Sequence, residues 1–281
     1  MASRWTRIPF QTKPEITPAR VDFCLPNLLA GGVGIVAAQA GIGKTSLLLQ
    51  LGAAVAAGIP VAGGALPAPE TSGPVVFLAA EDPPIILGRR AHFLAQSLLA
   101  QGHGNEVMER LQRNLQLLSL NGEYLNLLSP GHMNEPAVDR LTRLAKSARL
   151  LILDPLRQFH LCDEEHYSHM ALLFRILTDI AAEGDCTILF AHHLPPETGG
   201  DSDGAHGSSA FINATRWVLE LYPMSVKEAK TQSIAEAQRS NFVLTKMSKS
   251  NYGPRIGPFW LERSSTFDGV FQHYLPAASS D

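Results

Sequence analysis

Cysteine is scarce: Cys24, Cys162 and Cys186 are the three in 281 residues. An odd, scattered set does not make a disulfide framework, and a reducing compartment is expected. The first twenty residues, MASRWTRIPFQTKPEITPAR, lack the apolar centre of a secretory leader. The richest apolar window, Leu28 to Val61, is broken by Gln39, Lys44, Gln50 and several glycines, so it is a buried strand and helix rather than a bilayer span. A cytoplasmic protein with no membrane partner is the expectation. Charge is also sparse, at 17% of residues with a net of −3. That excludes a strongly basic chain but leaves room for a local basic channel. No internal repeat is present, and the 45% apolar content is that of an ordinary globular chain.

What the chain does have is the stretch Ile35 to Leu51, IVAAQAGIGKTSLLLQL. A short apolar run is followed by a small-residue turn, then Gly43, Lys44 and Thr45, then a helix-forming segment. This is the phosphate-loop pattern G-x-x-x-x-G-K-[ST], with Ala38 where the leading glycine usually stands. Consecutive N–H groups in such a turn form an anion nest, and the helix starting near Lys44 adds the positive end of its dipole. Ala40, Gly41, Ile42, Gly43, Lys44, Thr45 and Ser46 are therefore candidate nucleotide-binding residues. Lys44 is expected to reach the β- and γ-phosphates, and Thr45 to ligate Mg²⁺.

The remaining pattern alternates strand and helix. Strands are expected at Val33–Ala38, Val75–Ala80, Leu115–Leu120, Leu150–Asp154 and Thr187–Ala191, and the continuous apolar run of Val75–Ala80 marks a buried parallel one. Helices are expected from Lys44 to about Ala57, over 85–101, from Pro136 to Ser147 with Asn134 as N-cap, and from Tyr167 to Glu183. Alternating segments, Arg216–Tyr222 and Phe242–Met247, flank a charged insertion, 223–241. Lys249 and Asn251-Tyr252-Gly253 read as a turn, and Phe259–Arg263 with Val270–Leu275 as a closing hairpin. The sum is an α/β fold: a RecA-like P-loop NTPase core, a mostly parallel sheet flanked by helices, with antiparallel C-terminal hairpins. Residues 1–20 read as an arm, either unstructured or strapped onto a neighbouring subunit, 21–275 as a single ATPase domain, and 276–281 as a tail.

Six motifs then line up in order: AGIGKTS (40–46), LAAEDPP (78–84), LILDPLRQFH (151–160), ILFAHH (188–193), GSSAFINATRW (207–217) and SKSNYGP (248–254). Together they resemble the RepA-type replicative helicases of broad-host-range plasmids, over about Pro26 to Phe271. The resemblance implies a homo-hexameric ring that hydrolyses ATP or another NTP with Mg²⁺ and unwinds DNA. It further implies single-stranded DNA as a partner, with primase and initiator proteins beside it.

The resemblance also implies roles. Asp154, four apolar residues into its strand, is similar to the Walker B acid that holds Mg²⁺. Pro155 follows it, so the base must come from elsewhere, and Glu81 is similar to the water-polarising glutamate, with Asp82 its competitor. His192, or His193 beside it, matches a γ-phosphate sensor. Arg216 matches an arginine finger acting on the neighbouring subunit's nucleotide, and Lys249 a basic residue beside it. Arg90 resembles a nucleotide-contacting arginine. The spacing of His160, Cys162, His166 and His169 matches no common zinc motif.

One segment departs from this picture. Loop 194–207, LPPETGGDSDGAHG, stands where a ring would present DNA-contacting residues, yet it carries Glu197, Asp201 and Asp203 and no lysine or arginine. Phosphate backbones are normally bound by basic groups. DNA contact would then fall to backbone N–H groups of the loop, to His206, or to basic residues such as Arg157 and Lys227. A RecA-fold DNA-binding or regulatory ATPase without unwinding activity is the alternative, as is an ATPase ring with no nucleic-acid partner.

Overall fold

The computed structural model describes residues 8, 10, 20–194 and 210–276. The chain opens with a small hairpin, β1 (Phe23–Leu25) and β2 (Leu28–Leu29), followed by β3 (Val33–Ala38) and α1 (Lys44–Ala57). Next come β4 (Val75–Ala79), α2 (Pro84–Ala100), α3 (Asn105–Asn114) and β5 (Leu115–Ser119). A two-residue hairpin, β6 (Leu128–Ser129) and β7 (His132–Met133), leads to α4 (Glu135–Ala145), β8 (Leu150–Asp154), α5 (Tyr167–Gly184) and β9 (Thr187–His193). The last part holds α6 (Ala210–Ala214), β10 (Trp217–Pro223), α7 (Val226–Thr231), β11 (Phe242–Ser250), β12 (Phe259–Arg263) and β13 (Phe271–Tyr274).

Nine of these strands form one sheet in the order β13-β12-β11-β10-β3-β9-β8-β4-β5. From β10 to β5 every neighbour is parallel, while β10 through β13 pair antiparallel. This is the RecA-like α/β P-loop fold expected from the sequence. The central parallel strands β3, β4, β8 and β9 are mostly apolar because helices cover both faces. Alternation along β3 divides its side chains cleanly: Val36 and Ala38 join the core beneath α1, while Ile35 and Ala37 join the core beneath α4 and α5. Helix α1 is buried on nearly all sides, which explains why it is apolar all round. It ends at Gly58, whose left-handed φ of 67° lets its N–H return 2.8 Å to the Ala54 carbonyl.

Several segments differ from expectation. Helix α3 is an addition to the expected elements, its NEVMERLQRN being mostly polar; its packing face is Val107, with Met108 and Leu111 beside it. The charged insertion contains α7, opened by a Ser225–Glu228 capping box in which each side chain accepts from the other's backbone N–H. Strand β9 runs two residues past Ala191, so His192 and His193 lie inside it. Lys249 lies within β11, not in a turn, because β11 keeps pairing to Trp217–Ser250.

The antiparallel edge is fastened back to α1. Gln50, buried inside the helix, donates 2.8 Å to the Phe271 carbonyl and accepts 3.0 Å from the Phe271 N–H. One side-chain amide thus satisfies both backbone groups of a buried residue. Gln50→Leu should leave both unpaired and cost about 2–4 kcal/mol. Thermal melting should show a fall of several degrees; an unchanged midpoint would contradict this account of the clasp.

Candidate nucleotide site

The carboxyl ends of four parallel strands meet in register. Ala38 of β3 faces His193 of β9, and Ala79 of β4 faces Asp154 of β8. Open α/β sheets bind ligands at this edge. Here a cavity of about 270 Å³ is lined by the phosphate loop, Glu81, Asp82, Arg90, Asp154 and His193.

The loop from 39 to 43 turns on Gly41 (φ 78°) and Gly43 (φ 100°), both left-handed and so suited to glycine. Ala38 needs no such freedom: it is the last residue of β3, paired on both sides. The departure at the leading position therefore has a geometric reason. Lys44 is buried and folds back over the loop, its ammonium donating 2.8 Å to each of the Ala38 and Gln39 carbonyls. Burial pushes its pKa down to about 8, against the raising influence of Asp154 and Glu81. The first N–H groups of α1 have no partner within the helix and open on the cavity, which suits an anion.

Asp154 is 5% exposed and shares the cavity with Thr45, whose hydroxyl favours its charged form. Burial pushes its carboxyl up to about 6, with Asp82 and Glu81 adding to the rise. A desolvated carboxylate among other carboxylates, beside a hydroxyl, is an oxygen donor set that fits a divalent cation such as Mg²⁺. The two neighbouring acids are held differently. Asp82 is paired with Arg90 at 2.7 Å, and its own carbonyl accepts 2.7 Å from Ser119. Glu81 is exposed and accepts 3.0 Å from the Gln158 amide. Arg90 also lies 3.5 Å from the Ser46 hydroxyl, so it reaches across the mouth of the loop.

The histidines divide by face, as strand alternation requires. His193 lines the nucleotide cavity; burial and then Lys44 hold its pKa below the ordinary value. His192 does not line that cavity. It is buried, edge-on to Phe211 at 5.4 Å, and opens with His193 on a second cavity of about 720 Å³ beside Arg157, Cys162 and Glu164. His193 is therefore the histidine nearer the loop, and it also touches the second cavity.

Arg216 and Lys249 are not brought to this site. Leu221 of β10 faces Ala38, and five residues separate 221 from 216, about 16 Å of strand. Arg216 lies exposed near the opposite edge of the sheet, beside Leu28, Trp217 and Tyr252. Lys249 is opposite Val218 and donates 3.1 and 2.9 Å to the carbonyls of Ile212 and Asn213. Arg157 sits in the wall of the second cavity, and Lys227 lies on α7. Loop residues 195–207, with His206, lie outside the described residues, as does nearly all of the N-terminal arm.

A family model for the AAA domain matches residues 9–199, which span the loop, Glu81, Asp154 and both histidines. The chain belongs to that family. It is a nucleotide-binding P-loop ATPase, and among its described residues no helix is long and apolar enough to cross a membrane. Two residues stood outside the site assignments made from the sequence: Gln158, which donates to Glu81, and Arg263, which lines this ATPase's cavity from the closing hairpin. Gln158 lies inside LILDPLRQFH and could have been suspected from that motif. Arg263 had nothing local to mark it.

Nucleotide binding in the presence of Mg²⁺ should be tightest between about pH 6 and about pH 8. As pH falls through 6, Asp154 takes up a proton and loses its charge for the cation; as pH rises through 8, Lys44 loses the charge that attracts phosphate. Titrating fluorescent ADP from pH 5 to pH 9 checks both limbs, and Asp154→Asn should flatten the acid one. A level profile in the wild-type chain would contradict the placement of these two charges.

Proposed function

We propose that this ATPase is a replicative DNA helicase of a plasmid or phage. In this reading it assembles as a ring, hydrolyses ATP at subunit interfaces and unwinds duplex DNA. The observation that carries the reading is the separation of Arg216 from its own chain's phosphate cavity by about 16 Å along β10. An arginine finger so placed serves a neighbour's nucleotide, which makes each site incomplete in one chain. The ordered resemblance of six motifs to plasmid helicases gives the work to which hydrolysis is coupled.

The chemistry follows from the residues present. The loop N–H groups and Lys44 hold the β- and γ-phosphates. Mg²⁺, held by Thr45 and Asp154, would supply positive charge to the β- and γ-oxygens. Glu81, steadied by Gln158, orients the attacking water and takes its proton as the bond from oxygen to γ-phosphorus forms and the β–γ bridge breaks. Arg216 from the next subunit, supported by Lys249, stabilises the charge that develops. His193, facing the loop, and His192, facing the second cavity, would pass the state of the γ-phosphate to loop 194–207. Single-stranded DNA in the channel, and primase and initiator proteins outside it, are the partners in this reading.

A second reading has an observation of its own. The absence of lysine and arginine from loop 194–207 favours an ATPase that regulates or accompanies DNA without unwinding it.

Lys44→Ala should abolish turnover, and Glu81→Gln should bind nucleotide yet lose about 10²–10⁴ in kcat. Near-normal turnover in Glu81→Gln would transfer the base to Asp82. Mixing Arg216→Ala with Glu81→Gln subunits should restore some hydrolysis, because one interface in the mixture regains both groups; absence of rescue would remove the finger in trans. Strand displacement on a forked duplex separates helicase from non-unwinding ATPase, and electron microscopy with nucleotide should reveal a six-membered ring.

A further inference from the structure

The phosphate loop is braced from outside by a hairpin more than two hundred residues later in the chain. Arg263 of β12 stands directly across the ladder from Phe271 of β13, with its guanidinium 5.4 Å above that ring. Its Nη2 donates 3.0 Å to the Gly41 carbonyl. The Phe271 ring fills the space beside Gly43, so a Cβ there would meet Cζ at 2.6 Å. Gln50 fixes the Phe271 backbone, as described above. The hairpin tip is tied to α2 by Asp268, which pairs with Arg89 at 2.7 Å. Because a peptide unit is planar, holding the Gly41 carbonyl also fixes the direction of the Ile42 N–H. Arg263 thereby sets one of the donors of the anion nest.

Bracing uses only part of the guanidinium. Arg263 lines the nucleotide cavity, its Nε is buried with no hydrogen-bond partner, and among the described residues it makes no ion pair. Burial, followed by the neighbouring Arg90, holds its pKa below the ordinary value. Arg90 has a carboxylate partner in Asp82; Arg263 does not. Two guanidiniums converging on a phosphate loop, one without a counter-charge, form a site lacking its anion.

We propose that Arg263 is a phosphate-binding residue of the same chain's nucleotide site, holding Gly41 with one nitrogen and offering its remaining N–H groups to the polyphosphate. The inference rests on the nucleotide-binding reading of that cavity. Such a contact exists in bound substrate and transition state alike, so its loss raises KM and leaves kcat nearly unchanged. That is the opposite signature to Glu81, whose role lies in the chemical step.

Two variants test it. Arg263→Ala removes brace and charge together; Arg263→Gln keeps a donor for the Gly41 carbonyl and removes only the charge. Fluorescent ADP and inorganic tripolyphosphate should bind both variants about 10- to 100-fold more weakly, as expected for a lost charge-assisted contact. KM for ATP should rise by a similar factor at near-constant kcat, and Arg263→Lys should recover part of the loss. Melting without nucleotide should be lowered in Arg263→Ala but close to wild type in Arg263→Gln. Wild-type affinity in Arg263→Gln would reduce Arg263 to a brace and overturn the proposal. No binding of ADP by the wild-type chain would remove the nucleotide site itself, and this proposal with it.

Discussion

The in-register pairing of β3, β9, β8 and β4 is the constraint on which the rest depends. Parallel strands joined by helices must all end at the same edge, and here β8 and β4 end level with each other, two residues short of β9 and β3. That coincidence brings Lys44, His193, Asp154 and Glu81 around one cavity from positions scattered over 150 residues of chain. None of these groups is held by a neighbour in sequence alone. A slip of one residue in β8 would turn Asp154 to the opposite face of the sheet, away from Thr45. The close packing of alternate side chains against α1 on one face and α4 and α5 on the other is what opposes such a slip.

Convergence has an electrostatic cost, and the site carries it openly. Asp154 is burdened by burial and by Asp82 and Glu81, while Lys44 is burdened by burial and only partly relieved by Asp154 and Glu81. Opposite charges close together in a dry place are poised rather than neutralised. Phosphate and a divalent cation each supply what one of them lacks. The arrangement is therefore complementary to a ligand of mixed charge in a way that no single residue explains.

Much of this was legible in the residues. The loop and its glycines, the strand ending in Asp154, and Glu81-Asp82 after VVFLAA are local signals, because each strand's chemistry sits at its own carboxyl end. The two-sided sheet followed from apolar strands alternating with helices. Other features were hidden for physical reasons. Helix α3 is mostly polar and announces itself through a single packed face of Val107, Met108 and Leu111. His192 and His193 are adjacent in sequence and both reach the second cavity, and only the register of β9 decides that His193 alone lines the nucleotide cavity. Arg263 is a solitary arginine in a short strand next to the sheet edge, and its meaning comes from Phe271 across the ladder and Gly41 far behind it.

The hairpin that presses Phe271 against Gly43 has a consequence for how the protein comes into being. Synthesis runs from the amino end, and the loop, α1 and β3 leave the ribosome long before residues 259 to 274 exist. Until those residues arrive, one wall of the loop is missing and Gln50 has no backbone to grip. A nascent or prematurely stopped chain thus carries the whole phosphate motif without its support. In this fold the finished loop therefore waits on residues 259 to 274.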